Sequence, residues 1–230
     1  MPALPVHPIP ASHSIILPRW IIFAFITGLV MFIPGGILGY QTAVNQFIRS
    51  GIASAQQADA PGADDDPFLG SINASVTVIE FSDYRCTYCK RFHQDTFTPL
   101  MEKYGQRIRF VYRDFPSLGG QPEAEASQCA NDQNDFWVYH DALFSSEKTY
   151  SSVDQLVTLA GDLQMNTSTF RDCLAGGKYR DEVQADYQDG RKYGITGTPT
   201  FFINGIRLIG AQPLNVFERV IDQQLAAAGS

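Results

Sequence analysis

The chain has 230 residues, 44% hydrophobic and 18% charged, a balance that suits a globular protein better than a disordered one. All 24 acidic residues lie at or beyond Asp59, against 15 of the 17 lysines and arginines, so the part after residue 55 is formally −9. That balance argues against a nucleic-acid or anionic-membrane surface, since both need a basic footprint.

Residues 1–14, rich in Pro and His, read as a disordered tail. From Trp20 to Ile48 there is no charged residue, and residues 15–40 are mostly Ile, Leu, Phe, Val and Gly. A bilayer core needs roughly 20 apolar residues as a helix, so 15–40 is expected to be a transmembrane anchor in the lipid bilayer. Pro34-Gly35-Gly36 would kink or end that helix. A cleaved signal peptide is the alternative, but its apolar region would be only about 7–15 residues. Ala53-Ser54-Ala55 has cleavage-site chemistry and sits well past Tyr40. Arg19 and Arg49 flank the span evenly, so charge does not orient it. Residues 41–67 are read as a linker, small, polar and acidic from residue 50 onward. The folded domain is expected over 68–230.

Val76 to Phe81 is a nearly continuous β-branched and apolar run, the pattern of a strand buried on both faces. A short loop leads to Cys86-Thr87-Tyr88-Cys89. A helix is expected over Lys90 to Tyr104, ended by Gly105, then a second strand over Ile108 to Tyr112. This is a strand–helix–strand unit of the parallel type. Residues 121–193 turn helical, opening at Pro122 and punctuated by Gly161, Asn166 and Gly176-Gly177, and predict an insertion of about four helices. Apolar alternation on either side of Asn204-Gly205 predicts a two-residue hairpin, and Pro213 opens a last amphipathic helix.

Two cysteines separated by two residues at a strand-to-helix junction carry the chemistry. The spacing lets both sulfurs meet across the first helical turn. Cys86 falls where unpaired N–H groups and the helix dipole favour an anion, and a thiolate is the nucleophile of disulfide exchange. Cys89, one turn deeper, is the resolving thiol. An inert bridge, or a metal site using Cys86, Cys89 and His93, is the alternative. Thr198-Pro199 puts a proline at the start of an apolar strand, where it removes a ladder donor. A cis bond there would bend the backbone against the cysteine loop and leave Thr198 free to pair with a substrate strand. Glu80 is an acid inside an apolar run, which needs a reason; lying beneath the cysteines, it could relay a proton to or from Cys89. Thr87 and Tyr88, between the cysteines, are expected to meet the substrate. Cys129 and Cys173 are most simply a structural bridge, with free thiols or a second exchange pair as alternatives. Trp137 and His140 read as packing residues.

Val78 to Cys89 (VIEFSDYRCTYC), Thr196 to Gly205 (TGTPTFFING) and the helical insertion between them resemble the DsbA-like branch of the thioredoxin superfamily, in particular its membrane-anchored bacterial members. The resemblance covers about residues 68–228. It implies an α/β thioredoxin-like fold with a helical insertion, here preceded by a transmembrane helix. It makes Cys86 the nucleophile, Cys89 its partner, Pro199 the cis-proline and Glu80 the buried acid near the active site. It implies action on cysteines of secreted proteins, reoxidation by a quinone-linked membrane partner, and no dissociable cofactor or metal. The best-known member has Pro-His between its cysteines, where this chain has Thr87-Tyr88, and Tyr88 offers the thiolate neither positive charge nor ring N–H. The Cys86 pKa is therefore expected above that member's value of about 3.5, and the couple less oxidising than about −120 mV. A reductase or isomerase on the same fold is the nearest rival function.

Overall fold

The computed structural model describes residues 60–229. The expected tail (1–14), the anchor (15–40) and most of the linker (41–67) lie outside the described residues. Among the described residues no helix is long and apolar enough to cross a membrane.

The apolar run becomes β2 (Val76–Ser82), which pairs in parallel with β3 (Ile108–Asp114) at the centre of a five-stranded sheet. A short β1 (Phe68–Gly70) lies antiparallel on β3 at one edge. β4 (Thr200–Ile203) pairs antiparallel with β2, and β5 (Ile206–Ile209) closes the other edge, giving the order β1-β3-β2-β4-β5. Three residues are too few for a strand pattern, which is why β1 escaped the sequence reading. The hairpin turn is the one Asn-Gly demands: Asn204 and Gly205 both have positive φ, at 46° and 85°. Gly70 is fixed more severely, since a Cβ there would sit 2.1 Å from the Ile108 carbonyl oxygen.

The helix after the cysteines differs from expectation. It starts at Thr87, not Lys90, and runs as α1 (Thr87–Phe92), a π turn (His93–Phe97) and α2 (Thr98–Tyr104). Pro99 is the physical reason for the break, because it has no N–H to return to the preceding turn and its ring crowds it. One face of this segment buries Phe92, Leu100 and Tyr104 against the sheet, where they meet Val78, Phe110, Phe201 and the inner face of α8 (Leu214–Ala227).

Between β3 and β4 the insertion has five helices: α3 (Gln121–Asn131), α4 (Phe136–Ser145), α5 (Val153–Asp162), α6 (Thr167–Ala175) and α7 (Arg180–Lys192). The expected four become five because a turn with Asn134 at φ 62° splits the first. Asn166 caps α6 by accepting from the N–H groups of Ser168 and Thr169 at 3.1 Å. Tyr139, Leu143, Leu156 and Phe170 form the insertion's own core. Buried Arg113 ties the insertion to the sheet, pairing with Asp66 at 2.9 Å, with Asp186 of α7 and with Asp189 at 3.2 Å. Burial pushes the Asp66 carboxyl up to about 9, helped by the neighbouring Asp186.

Cys129 of α3 and Cys173 of α6 form a disulfide with Cα atoms 5.9 Å apart. It closes a loop 44 residues long, and such a loop contributes about 4 kcal/mol through the entropy of the unfolded chain. Replacing both cysteines by alanine is expected to lower the unfolding free energy by about 3–4 kcal/mol, read from the midpoint and slope of urea titrations without reductant.

Candidate active site

β2 ends at Ser82, and the loop into α1 is clamped from three sides. The Asp83 carboxylate accepts from the Arg85 N–H at 2.9 Å and from the Leu118 N–H, and its backbone carbonyl accepts from the Cys86 N–H at 2.9 Å. Gly120 makes room for that carboxylate, since a Cβ there would lie 2.1 Å from its oxygen. Arg85 reaches across to the insertion, donating to Glu123 at 2.9 Å and to the Tyr150 carbonyl at 3.1 Å. Sequence reasoning missed this clamp. Its only signal was Asp83, an acid next to a buried strand.

Held in this way, Cys86 has extended backbone (φ −83°, ψ 119°) and stands immediately before the first turn of α1. Both Cys86 and Cys89 are free thiols. The Cys86 Sγ donates to the Thr198 carbonyl at 3.3 Å, and the Thr198-Pro199 peptide is cis. The fold thus brings together residues 112 positions apart. The Thr198 carbonyl is engaged by Cys86 rather than free.

The two sulfurs are electrostatically unequal. The Cys86 thiol is lowered to about 6, first by a hydrogen bond from the Cys89 thiol, then against burial by the Thr198 side chain and by the N–H groups of Cys89 and Tyr88. Cys89 is pushed well above its ordinary 9.0 by burial, then by its bond to Cys86 and by the charge of Glu80.

Cys86 keeps only 4% of its surface. It nonetheless lines a cavity of about 250 Å³ with Arg85, Thr87, Lys90, Lys148 and Tyr150. Thr87 is exposed and Tyr88 stands 63% exposed beside it. An incoming sulfur therefore has a route to residue 86 and none to Cys89, which is fully buried.

Glu80 is completely buried. One carboxylate oxygen accepts from the Ser82 hydroxyl at 2.8 Å, and the other lies 3.4 Å from Nε2 of His93. Around them, the rings of His93, His140, Tyr112 and Phe144 pack within 4.1–6.4 Å of one another. Cys86, Cys89 and His93 do not gather as a metal-ligand set. His140 and Asp141 approach His93, and Nδ1 of His140 is paired with the Asp141 carboxylate at 3.0 Å, while its buried Nε2 makes no hydrogen bond.

A thiol poised to ionise at a helix start, a buried partner one turn on and a cis-proline loop against the first sulfur define a thiol–disulfide exchange centre. The sequence matches the thioredoxin family over residues 63–223, and the chain belongs to that family, in its DsbA-like branch. It is 32% identical over 157 residues to the disulfide bond formation protein D of Bacillus subtilis, covering 63% of this chain and 70% of that one. The crystal structure of Wolbachia pipientis alpha-DsbA1 superposes with a TM-score of 0.66 at 27% identity, covering 76% of this chain and 97% of that one. A Na(+)/H(+) antiporter NhaA 3 of Salinispora tropica is 30% identical over 169 residues, 72% of this chain, and the chain spans only 26% of that protein's length.

The asymmetry fixes how the couple responds to pH. Because the folded Cys86 pKa of about 6 lies below the ordinary 9.0, its thiolate stabilises the reduced fold fully above pH 9, and this is lost as pH falls through 6. Reduction takes up two protons below that point and one above it. The midpoint potential is expected to fall by about 59 mV per pH unit below pH 6 and by about 30 mV above it. At pH 7 the potential is expected between about −270 and about −120 mV, the values for thiols near 7 and 3.5. Redox titration at several pH values checks both.

Proposed function

We propose that this chain oxidises cysteine pairs in extracytoplasmic proteins through a Cys86–Cys89 redox disulfide. The observation that carries this reading is the depressed Cys86 thiol resting against the Thr198 carbonyl beside cis-Pro199. A substrate thiolate attacks Cys86 Sγ, the Cys86–Cys89 bond breaks and Cys89 leaves. A second substrate thiolate then attacks the substrate sulfur of the mixed disulfide, forming the new bond and expelling Cys86 as a thiolate. That thiolate is the good leaving group of the pair, so release favours the oxidised substrate. Cys89, whose thiol lies well above 9, needs a proton as it leaves, and Glu80 is the buried acid that supplies it. Thr198, Pro199, Thr87 and Tyr88 flank the sulfur and hold the substrate segment.

Several observations support the compartment and direction. The Cys129–Cys173 disulfide belongs in an oxidising environment. With residues 15–40 as a single-pass anchor, the catalytic domain then stands outside the cytoplasmic membrane, and a quinone-linked membrane protein reoxidises it. The name of the Bacillus subtilis relative, a disulfide bond formation protein, favours oxidation over reduction or isomerisation. The oxidised chain is expected to form disulfides in reduced, unfolded ribonuclease, and Cys86→Ala to lose this activity. Cys89→Ala is expected to accumulate a mixed disulfide at Cys86, visible by mass spectrometry. Wild-type protein no faster than Cys86→Ala would reject the assignment.

A further inference from the structure

Glu80 has no route of its own to water. It is fully buried, yet a group that gives a proton to Cys89 in each turnover must recover one from solvent. Its Oε1 is occupied by the Ser82 hydroxyl, and its Oε2 has no hydrogen-bond partner. Nε2 of His93 is equally buried and unpartnered, and these two orphaned atoms face each other at 3.4 Å. One proton held between them satisfies both. His93 also lines a cavity of about 260 Å³ that opens between the π turn, the start of α2 and α4, with Gln94, Phe97, Thr98, Asp141 and Phe144 in its wall. The π turn starts at His93, one helical turn past Cys89, a kind of irregularity that often marks functional sites.

We infer that His93 is the proton carrier between Glu80 and solvent, acting through Glu80 and touching neither sulfur. This rests on the proposed function above. When Cys89 leaves as a thiolate, the Glu80 carboxylic acid gives it a proton and becomes a carboxylate. His93 takes a proton from water in the cavity and passes it to the Glu80 carboxylate, ending as neutral imidazole. The oxidation of reduced Cys89 runs these transfers backwards. The groups that face His93 are few. Glu80 comes from β2, Cys89 lies one turn back on the same helix, and His140 of α4 stands 4.5 Å away ring to ring; Asp141, bonded to His140, lies within 4.8 Å of His93 and shares the cavity wall with it. His140 is pushed down to about 3, by burial and then by His93, so it stays neutral and carries no proton through the working range. Tyr112 of β3 is held well above 10.0 by burial and does not ionise there.

The test is single-turnover reduction of the full-length oxidised chain by dithiothreitol, quenched by alkylation and resolved by mass spectrometry so that only the Cys86–Cys89 bond is counted. His93→Ala is expected to slow this step about 10-fold at pH 7. Free imidazole, entering the cavity the ring vacates, is expected to restore the rate with saturation. Glu80→Gln is expected to be slow as well, and adding His93→Ala to it to slow it no further. If His93→Ala loses its fold, His93→Phe, which preserves the ring stacked on Phe144, should be slow and unmoved by imidazole. A wild-type rate in either His93 variant overturns the inference, as does a slow His93→Ala that imidazole leaves unchanged. The parent reading is judged separately by ribonuclease oxidation: a wild-type chain inactive there removes the oxidase function whatever the imidazole result.

Discussion

The structure depends on an inequality between two sulfurs three residues apart. One is placed where N–H groups and a neighbouring thiol stabilise its anion, and the other where burial and a carboxylate oppose one. Sequence spacing alone cannot create that difference, because both cysteines belong to the same turn. It arises because the helix begins at Thr87, leaving Cys86 outside with N–H groups ahead of it, and carrying Cys89 into the packed face.

The rest of the fold maintains this placement. Parallel pairing of β2 with β3 puts the loop after β2 at the carboxyl edge of the sheet, and β4 on the other side of β2 delivers Pro199 to the same edge. The insertion then holds the loop from outside through Arg85, Glu123 and Tyr150, and is itself held to the sheet by Arg113. Each long-range contact joins elements distant in sequence. The site is therefore a property of the assembled domain, and the interlocking of α3 with α6 through Cys129–Cys173 bears on its rigidity as well as on stability.

Much of this was readable from residue order. The β-branched run at Val76–Phe81, the cysteine pair, Thr198-Pro199 and Asn204-Gly205 each have a local physical meaning that survives folding, and each lies where that meaning places it. What was not readable depends on partners. β1 exists because β3 offers it an edge, and the clamp on Asp83 depends on Gly120 and Leu118, more than thirty residues away. Pro99 is visible in the sequence, but not that the helix survives it by widening one turn. In the sequence His93 has the spacing of a metal ligand to Cys89, and His140 the place of a packing residue. The orphaned Glu80–His93 pair emerges only when β2 and the π turn meet in space.

The inequality of the sulfurs can be measured directly. The reduced chain, labelled with iodoacetamide across pH 4 to 10 and mapped by peptide mass spectrometry, reports the ionisation of each thiol separately. Cys86 alone is expected to be alkylated, with a midpoint at about pH 6, and Cys89 to stay unlabelled below pH 9. Equal labelling of both cysteines with a shared midpoint near 9 would contradict the inequality.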